Sequence, residues 1–155
     1  MVKVLTLKKR KDFVRVAAGQ KMVAHSLVLQ AAQSLSAPYR TLDDESCFAG
    51  FTVTKKVGHA HLRNRTKRRL RAAMREVLPK LGKARTDYVF IGRYSTAEVD
   101  FRELVNDMKM TVKRINKLVW PKEKSELSQG GTEGTGINKS DQEQSFHEIS
   151  VDSAD

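Results

Sequence analysis

The feature that most restricts the fold of this chain is the segment over residues 55–75, which contains nine basic residues and no acidic one. Apolar or small side chains recur through it at helical spacing and form one continuous stripe. The stripe consists of Leu62, Thr66, Leu70, Ala73 and Val77. A helix with such a stripe has to cover it with a second layer of structure, so we predict a helix over residues 60–78 that packs on a sheet.

The remaining segments show shorter periodicities, typical of strands and of two further helices. Gly19 suits the position after a helix, and Asp100 suits the position before one. The predicted elements are a helix over 8–18, strands over 24–32 and 47–54, the helix over 60–78, a strand over 87–93 and a helix over 101–117. One more strand is left open within residues 34–54.

This order, α-β-β-(β)-α-β-α, predicts an α+β fold. We expect a two-layer sandwich in which the helices pack on a small mixed β-sheet. The strands over 47–54 and 87–93 would be joined by a parallel strand–helix–strand crossover, because a helix separates them.

The charge is divided unevenly along the chain. Lys and Arg total 29 and Asp and Glu 18, a net charge of +11, but residues 1–120 carry +16 and residues 121–155 carry −5. Such an excess favours a polyanionic partner over an inert solvated surface, so we predict a basic RNA-binding domain over residues 1–120. The acidic Ser- and Gly-rich segment over 121–155 offers few apolar groups, and we predict it to be a disordered tail.

Several classes of protein are disfavoured. Cys47 is the single cysteine and lies in an apolar run, so it forms no intrachain disulfide and is interpreted as a buried side chain rather than a nucleophile. The first residues lack the apolar core of a signal peptide, and no stretch approaches the ~18 apolar residues of a membrane span. We therefore expect a cytoplasmic protein without a membrane partner.

The basic residues of the predicted helix have a spacing that indicates their use. Asn64, Arg68, Arg71 and Arg75 follow one another at i, i+4, i+7 and i+11, opposite the apolar stripe. Like charges at these spacings cost a few tenths of a kcal/mol per pair, a cost that RNA phosphates would offset. Arg65 and Lys67 flank this face, whereas Arg63 and Arg69 lie nearer the core. Asn64 can also hydrogen-bond a base or a 2′-hydroxyl.

The order of these residues resembles a family signature. Lys55-Lys56-Val57-Gly58, then Ala60, then Arg63-Asn64-Arg65-x-Lys67-Arg68-x-x-Arg71 is similar to the motif of bacterial ribonuclease P proteins, and the similarity extends over about residues 3–118. The resemblance implies the protein subunit of ribonuclease P. Such a subunit binds the catalytic RNA and the 5′ leader of precursor tRNA and assists RNA-catalysed removal of the leader. It implies no catalytic residue, metal or cofactor on the protein, magnesium on the RNA subunit, and no obligate protein partner.

The resemblance also implies two sets of contacts. The RNA subunit would be bound by Lys55, Lys56, Arg63, Asn64, Arg65, Arg68, Arg69, Arg71 and Arg75. The leader would be bound by Phe13, Val28, Gln30 and Lys67.

Some positions depart from the family pattern. Ala17 and Gln30 stand where the family often has aromatic residues, so the leader cleft is expected to stack less and to hydrogen-bond more. Phe13 could either stack on a base or pack in the core, and both roles stay open. His59 and His61 replace the more usual Asn and Val.

Two alternatives to this interpretation stay open. A protein nuclease would use His59 and His61, but neighbouring cations disfavour protonated imidazole, and two histidines alone are a weak metal motif. A general RNA-binding module of the ribosomal type would have the same composition, and only the ordered motif separates it from a ribonuclease P subunit.

Overall fold

A computed structural model of the chain describes residues 1–121. The predicted tail over residues 121–155 lies, apart from Pro121, outside the described residues. The elements in chain order are β1 (Lys3–Thr6), α1 (Arg10–Ala17), β2 (Gln20–Val23), β3 (Leu27–Gln33), β4 (Ser46–Thr52), α2 (Ala60–Leu81), β5 (Thr86–Gly92) and α3 (Phe101–Val119). Short 3₁₀ turns over Lys55–Val57 and Tyr94–Ala97 precede α2 and α3.

The five strands form one mixed sheet in the order β1-β4-β5-β3-β2. β4 runs parallel to β1 and to β5, whereas β3 is antiparallel to β5 and to β2. Because α2 connects the neighbouring parallel strands β4 and β5, the predicted strand–helix–strand crossover is present. The predicted α+β class, with helices on a small mixed sheet, is confirmed.

The sheet has a different covering on each face. On one face, α2 and α3 pack over Leu27, Leu29, Tyr88 and Phe90 and form the larger core. On the other face, α1 packs on a smaller cluster that includes Val28, Val89 and Ile91. We call these the helical face and the α1 face. The predicted two-layer sandwich is formed by α2 and α3 packed on one face of the sheet. On the opposite face, the two-turn helix α1 covers only part of the sheet.

The apolar stripe of α2 lies where the sequence predicts it. Thr66, Leu70, Ala73 and Val77 are buried, and Thr66 donates its hydroxyl hydrogen bond to the Leu62 carbonyl of its own helix. The helix continues beyond the predicted end at residue 78 and ends at Leu81, and Pro79 lies inside its last turn. The end is completed by α3, whose Asn116 side chain donates to the carbonyl of Leu81 at 2.9 Å.

Strands β1 and β2 are not among the predicted elements. Each has four residues, and their side chains are mostly half-buried or exposed, so neither shows a clear alternation. Residues 34–54 contain one strand, β4, and the additional strand left open there is not formed. The loop before β4 has only an isolated bridge between Ala37 and Arg40.

Candidate nucleic-acid interface

The outer face of α2 carries an uninterrupted set of exposed polar side chains. Asn64, Arg65, Arg68, Arg71 and Arg75 are exposed on the helix, opposite its buried stripe. Within residues 1–121, none of these arginines forms a salt bridge or a hydrogen bond with another side chain. The structure therefore brings together on one surface five of the nine residues predicted to bind the RNA subunit.

Two more of those nine residues lie just before the helix. Lys55 and Lys56 are exposed in the 3₁₀ turn over Lys55–Val57, which ends at Gly58. Gly58 has φ 144°, a conformation that residues with a Cβ rarely adopt, and a Cβ there would meet the Leu62 side chain at 2.6 Å. This glycine allows the chain to turn sharply into α2 and keeps both lysines at its N-terminal end.

The last two of the nine point back towards the protein. Arg63 donates from Nη1 to the Gly58 carbonyl at 3.2 Å. Arg69 donates from Nε to the Thr96 carbonyl at 3.0 Å and from Nη2 to the Val99 carbonyl. Partial burial, together with the neighbouring Arg65 charge, lowers the pKa of Arg69. The RNA contact predicted for Arg69 would thus compete with bonds that join α2 to the turn before α3.

The guanidinium group of Arg71 lies near an aromatic ring. Its guanidinium carbon lies 5.5 Å from the centroid of Phe51, a β4 residue on the helical face. A cation over a ring in this way is restrained without losing its hydrogen-bond donors. Arg71 is nevertheless exposed, so its N–H groups stay accessible from solvent.

Three of the four residues predicted to bind the leader share the α1 face. Phe13 and Val28 belong to the cluster beneath α1, and Gln30 follows Val28 on the same side of β3. Lys67 is the exception, because it lies half-buried on α2, which packs on the helical face. The structure thus groups Phe13, Val28 and Gln30 and places Lys67 on a different layer.

Phe13 is largely a packing residue in this arrangement. Its side chain is only 9% exposed, and its ring lies against Gly50 of β4. A Cβ at position 50 would come within 2.6 Å of the ring. Of the two roles left open for Phe13, the geometry favours packing, with only a small part of the ring available to a base.

Gln30 carries a polar group that no other residue of the described part of the chain satisfies. The residue is 2% exposed, and its Nε2 finds no acceptor among the described residues. A buried amide without a partner costs about 1–3 kcal/mol, so such a group is unusual unless a ligand satisfies it. The side chain opposite it on β2 is Lys21, whose pKa is lowered by burial. Lys21 was not predicted as a site residue because β2 is too short to reveal its register.

An ionic network fastens α1 and the loop over residues 34–45 to the sheet. The fully buried carboxylate of Asp87, on β5, accepts hydrogen bonds from Arg40 at 2.8 and 3.0 Å and from Ser34 at 2.7 Å. Arg15 of α1 also donates to it. Asp12 accepts a further, long bond from Arg15 at 3.4 Å. Removing one member of such a buried set leaves an uncompensated charge, so these residues hold the α1 face together.

The two histidines weighed as nuclease residues are adjacent and exposed. The rings of His59 and His61 are nearly parallel with centroids 6.2 Å apart, at the start of α2. In the described part of the chain, no group of three His, Cys, Asp or Glu side chains is arranged to hold a metal ion. No helix described here is both long and apolar enough to cross a membrane.

Comparisons with a family model and with individual known sequences point to the same family. A family model described as Ribonuclease P matches residues 1–116. A ribonuclease P protein component from Paramagnetospirillum magneticum is 45% identical over 113 residues, which cover 72% of this chain and 83% of that protein. Another from Ruegeria pomeroyi is 40% identical over 111 residues, covering 71% of this chain and 85% of the relative.

Solved structures show the same fold. The ribonuclease P protein from Thermotoga maritima superposes with a TM-score of 0.57 at 24% identity, covering 70% of this chain and 96% of that one. The corresponding protein from Staphylococcus aureus gives a TM-score of 0.57 at 23% identity, covering 76% and 99%. At this level of identity the likeness supports the arrangement of helices and strands, and the sequence relatives carry the assignment of family.

Proposed function

Because the chain belongs to the ribonuclease P protein family, we propose that it binds ribonuclease P RNA through the outer face of α2 and assists that RNA in removing the 5′ leader of precursor tRNA. The observation that carries this proposal is the exposed face of Asn64, Arg65, Arg68, Arg71 and Arg75, which has no acid and no ion pair with any other residue of the range 1–121. Phosphates are the groups that would neutralise such a face, and arginine forks match their geometry.

In this function the protein supplies docking and positioning. Hydrolysis is assigned to the RNA subunit with its own magnesium, and no residue of the chain is given a catalytic role. Lys55 and Lys56 extend the docking face along the turn before α2. Arg63 and Arg69 hold the helix in place from its inner side, through the carbonyls of Gly58, Thr96 and Val99.

The leader of precursor tRNA is assigned to the α1 face. The support for this is the unsatisfied Nε2 of Gln30, which could donate to a base or sugar, beside the apolar surface of Val28 and the exposed part of Phe13. An unpaired strand displays its base edges and can reach such a group, whereas a duplex buries them. We assign Lys67 to the backbone of RNA near α2 rather than to this cleft.

Reconstitution with the RNA subunit tests the proposal. We expect the full chain to lower the magnesium concentration needed for 5′ processing of precursor tRNA. The double variant Arg68→Glu/Arg71→Glu should lose this effect, whereas Arg102→Glu/Arg114→Glu, an equal charge change at exposed positions of α3, should retain most of it. A wild-type chain that binds RNA without changing the magnesium requirement would instead support a general RNA-binding module.

A further inference from the structure

A small pocket lies on the α1 face, between the start of α1 and the loop over residues 34–45. Its volume is about 170 Å³, close to the ~150 Å³ of a protein cavity that accommodates one benzene ring. Leu7 and Phe48 line it with apolar surface, and Tyr39 and Asp12 contribute an aromatic ring and a carboxylate. Its dimensions therefore suit a planar ring.

The walls of the pocket are held rigidly. The Tyr39 hydroxyl donates to the Asp12 carboxylate at 3.0 Å, and partial desolvation and that carboxylate raise the pKa of this hydroxyl. The Arg40 guanidinium lies 4.4 Å from the centroid of Phe48 and bonds Asp87 in a bidentate manner. A ring that entered would thus meet surfaces that are already in position, at little cost in ordering.

The entrance to the pocket is strongly basic. Lys8 and Lys9 are exposed and line it. The ammonium groups of Lys9 and Lys11 lie 5.4 and 5.9 Å from the centroid of the Tyr39 ring. The pocket thus combines apolar and aromatic walls, a buried hydrogen-bond acceptor and ammonium groups at its entrance. These features together suit a nucleotide, because the walls can stack on the base and the cations can bind its phosphates.

We propose that this pocket binds one unpaired nucleotide of the precursor tRNA leader, its base against Tyr39 and its flanking phosphates at Lys8 and Lys9. The assignment to the leader rests on the proposed function. It follows from position, because the pocket opens on the same sheet face as Gln30 and Val28, whereas the α2 docking surface belongs to the opposite layer. Phe13, next to Asp12 in sequence, connects the two parts of the α1 face.

The pocket also selects among bases. The Asp12 carboxylate is 5% exposed and can only accept hydrogen bonds when ionised. Adenine, cytosine and guanine each carry an exocyclic amino group with two N–H donors for such an acceptor. Uracil offers a single donor, its N3–H, which lies between two carbonyl oxygens that the carboxylate repels. The nucleotide in this pocket is therefore one with an amino group, and uracil is disfavoured.

A scan of the leader tests this assignment. The reconstituted holoenzyme is prepared with wild-type protein or Tyr39→Leu, and its Kd is measured for precursors that carry one abasic site at successive leader positions. At one position we expect the abasic site to weaken wild-type binding roughly 5- to 150-fold, the range for one lost stacking contact. In the Tyr39→Leu holoenzyme the same abasic site should have no further effect, and uracil at that position should weaken wild-type binding more than cytosine does.

Controls separate this proposal from the function on which it rests. Tyr39→Phe keeps the ring, so the abasic site should still weaken binding in that variant. Tyr94→Leu changes an exposed tyrosine outside the pocket and should leave the effect of each abasic site on Kd unchanged. If removal of the whole leader does not change wild-type affinity, the leader-binding function itself fails. If the leader matters but no position couples to Tyr39, only the pocket assignment is overturned. If Tyr39→Leu weakens the binding of leaderless tRNA as much as that of precursor tRNA, the nucleotide in the pocket would belong to the RNA subunit. That result would overturn the pocket assignment as well.

Discussion

The ring of Phe13 lies directly on Gly50, so close that a Cβ at position 50 would stand 2.6 Å from the ring's Cζ atom. Gly50 is needed here for space rather than for an unusual backbone conformation, since Gly58 and Arg85 are the described residues with positive φ. The contact between α1 and β4 thus depends on the absence of one methyl group.

Gly50→Ala should destabilise the protein by about 1–3 kcal/mol, because the methyl group overpacks the contact with Phe13 and pushes α1 from the sheet. Urea denaturation measures the change. The double variant Gly50→Ala/Phe13→Leu should recover part of the loss, because leucine vacates the space that the added methyl needs. Equal stability of Gly50→Ala and the wild type would show that α1 adjusts without cost.

Gln30→Leu should change stability and leader affinity in opposite directions. Leucine fills similar space without an unsatisfied amide, so the free energy of unfolding should rise by about 1 kcal/mol. The affinity of the holoenzyme for precursor tRNA should fall towards its affinity for tRNA without a leader. Thermal denaturation and binding titrations measure the two effects, and Met22→Leu, on the helical face of the neighbouring strand β2, serves as an apolar control outside the leader site. A variant that is both more stable and fully competent for the leader would remove Gln30 from the site.

Arg68→Gln and Arg69→Gln should differ although they are neighbours in the same helix. Arg68 is exposed, so its loss should reduce the slope of log K against log salt for RNA-subunit binding by about 1. Arg69 bonds the carbonyls of Thr96 and Val99, so its loss should mainly lower the free energy of unfolding, by about 1–3 kcal/mol. An unchanged salt slope for Arg68→Gln would show that this side chain does not meet a phosphate.

The thiol of Cys47 should be inert in the folded protein. Burial, with the nearby Asp87 charge, raises its pKa to about 12, whereas an unfolded cysteine titrates near ~8.5. The buried neutral thiol therefore contributes stability below about pH 8.5, and that contribution is lost as the pH rises towards 12. Alkylation by iodoacetamide between pH 7 and 10 should stay slow in buffer and become fast in urea. A rate in buffer that rises with a midpoint near pH 8.5 would contradict the burial of this thiol.

Replacing both histidines at the start of α2 should leave RNA cleavage intact. His59 and His61 are exposed and stack on each other, and no described cluster of ligands accompanies them. His59→Ala/His61→Ala should change the rate of 5′ processing less than about threefold in single-turnover assays with saturating holoenzyme. Complete loss of cleavage while RNA binding persists would revive the protein-nuclease alternative.

The long helices could be predicted from the sequence because helical periodicity repeats over several turns. The buried stripe of α2 and its exposed basic face both follow from spacing alone. β1 and β2 could not be predicted in the same way, since each has four residues and lies at an edge of the sheet. Their positions depend on pairing with β4 and β3, which is information that a local pattern does not contain.

The residues of the candidate interface also differ in how far the sequence predicts their positions. Residues that share one helical face, such as Arg68 and Arg71, are predictable because a single element positions them. The inward contacts of Arg69 are not, since their acceptors lie on a turn about 30 residues further along the chain. Asp87 at the start of an apolar strand was the one available signal of the ionic network, but nothing local identifies Arg40 as its partner.

The position of α2 in the chain has a mechanical consequence. This helix is the covalent connection between β4 and β5, two neighbouring strands in the interior of the sheet, and not an appendage at its edge. A tensile load applied to the helix by a bound nucleic acid would pass directly into those strands, and the shearing of their backbone hydrogen bonds would resist it. A nucleic acid bound to α2 would therefore load the interior pair of strands, whereas the four-residue edge strands β1 and β2 could fray without disturbing that pair.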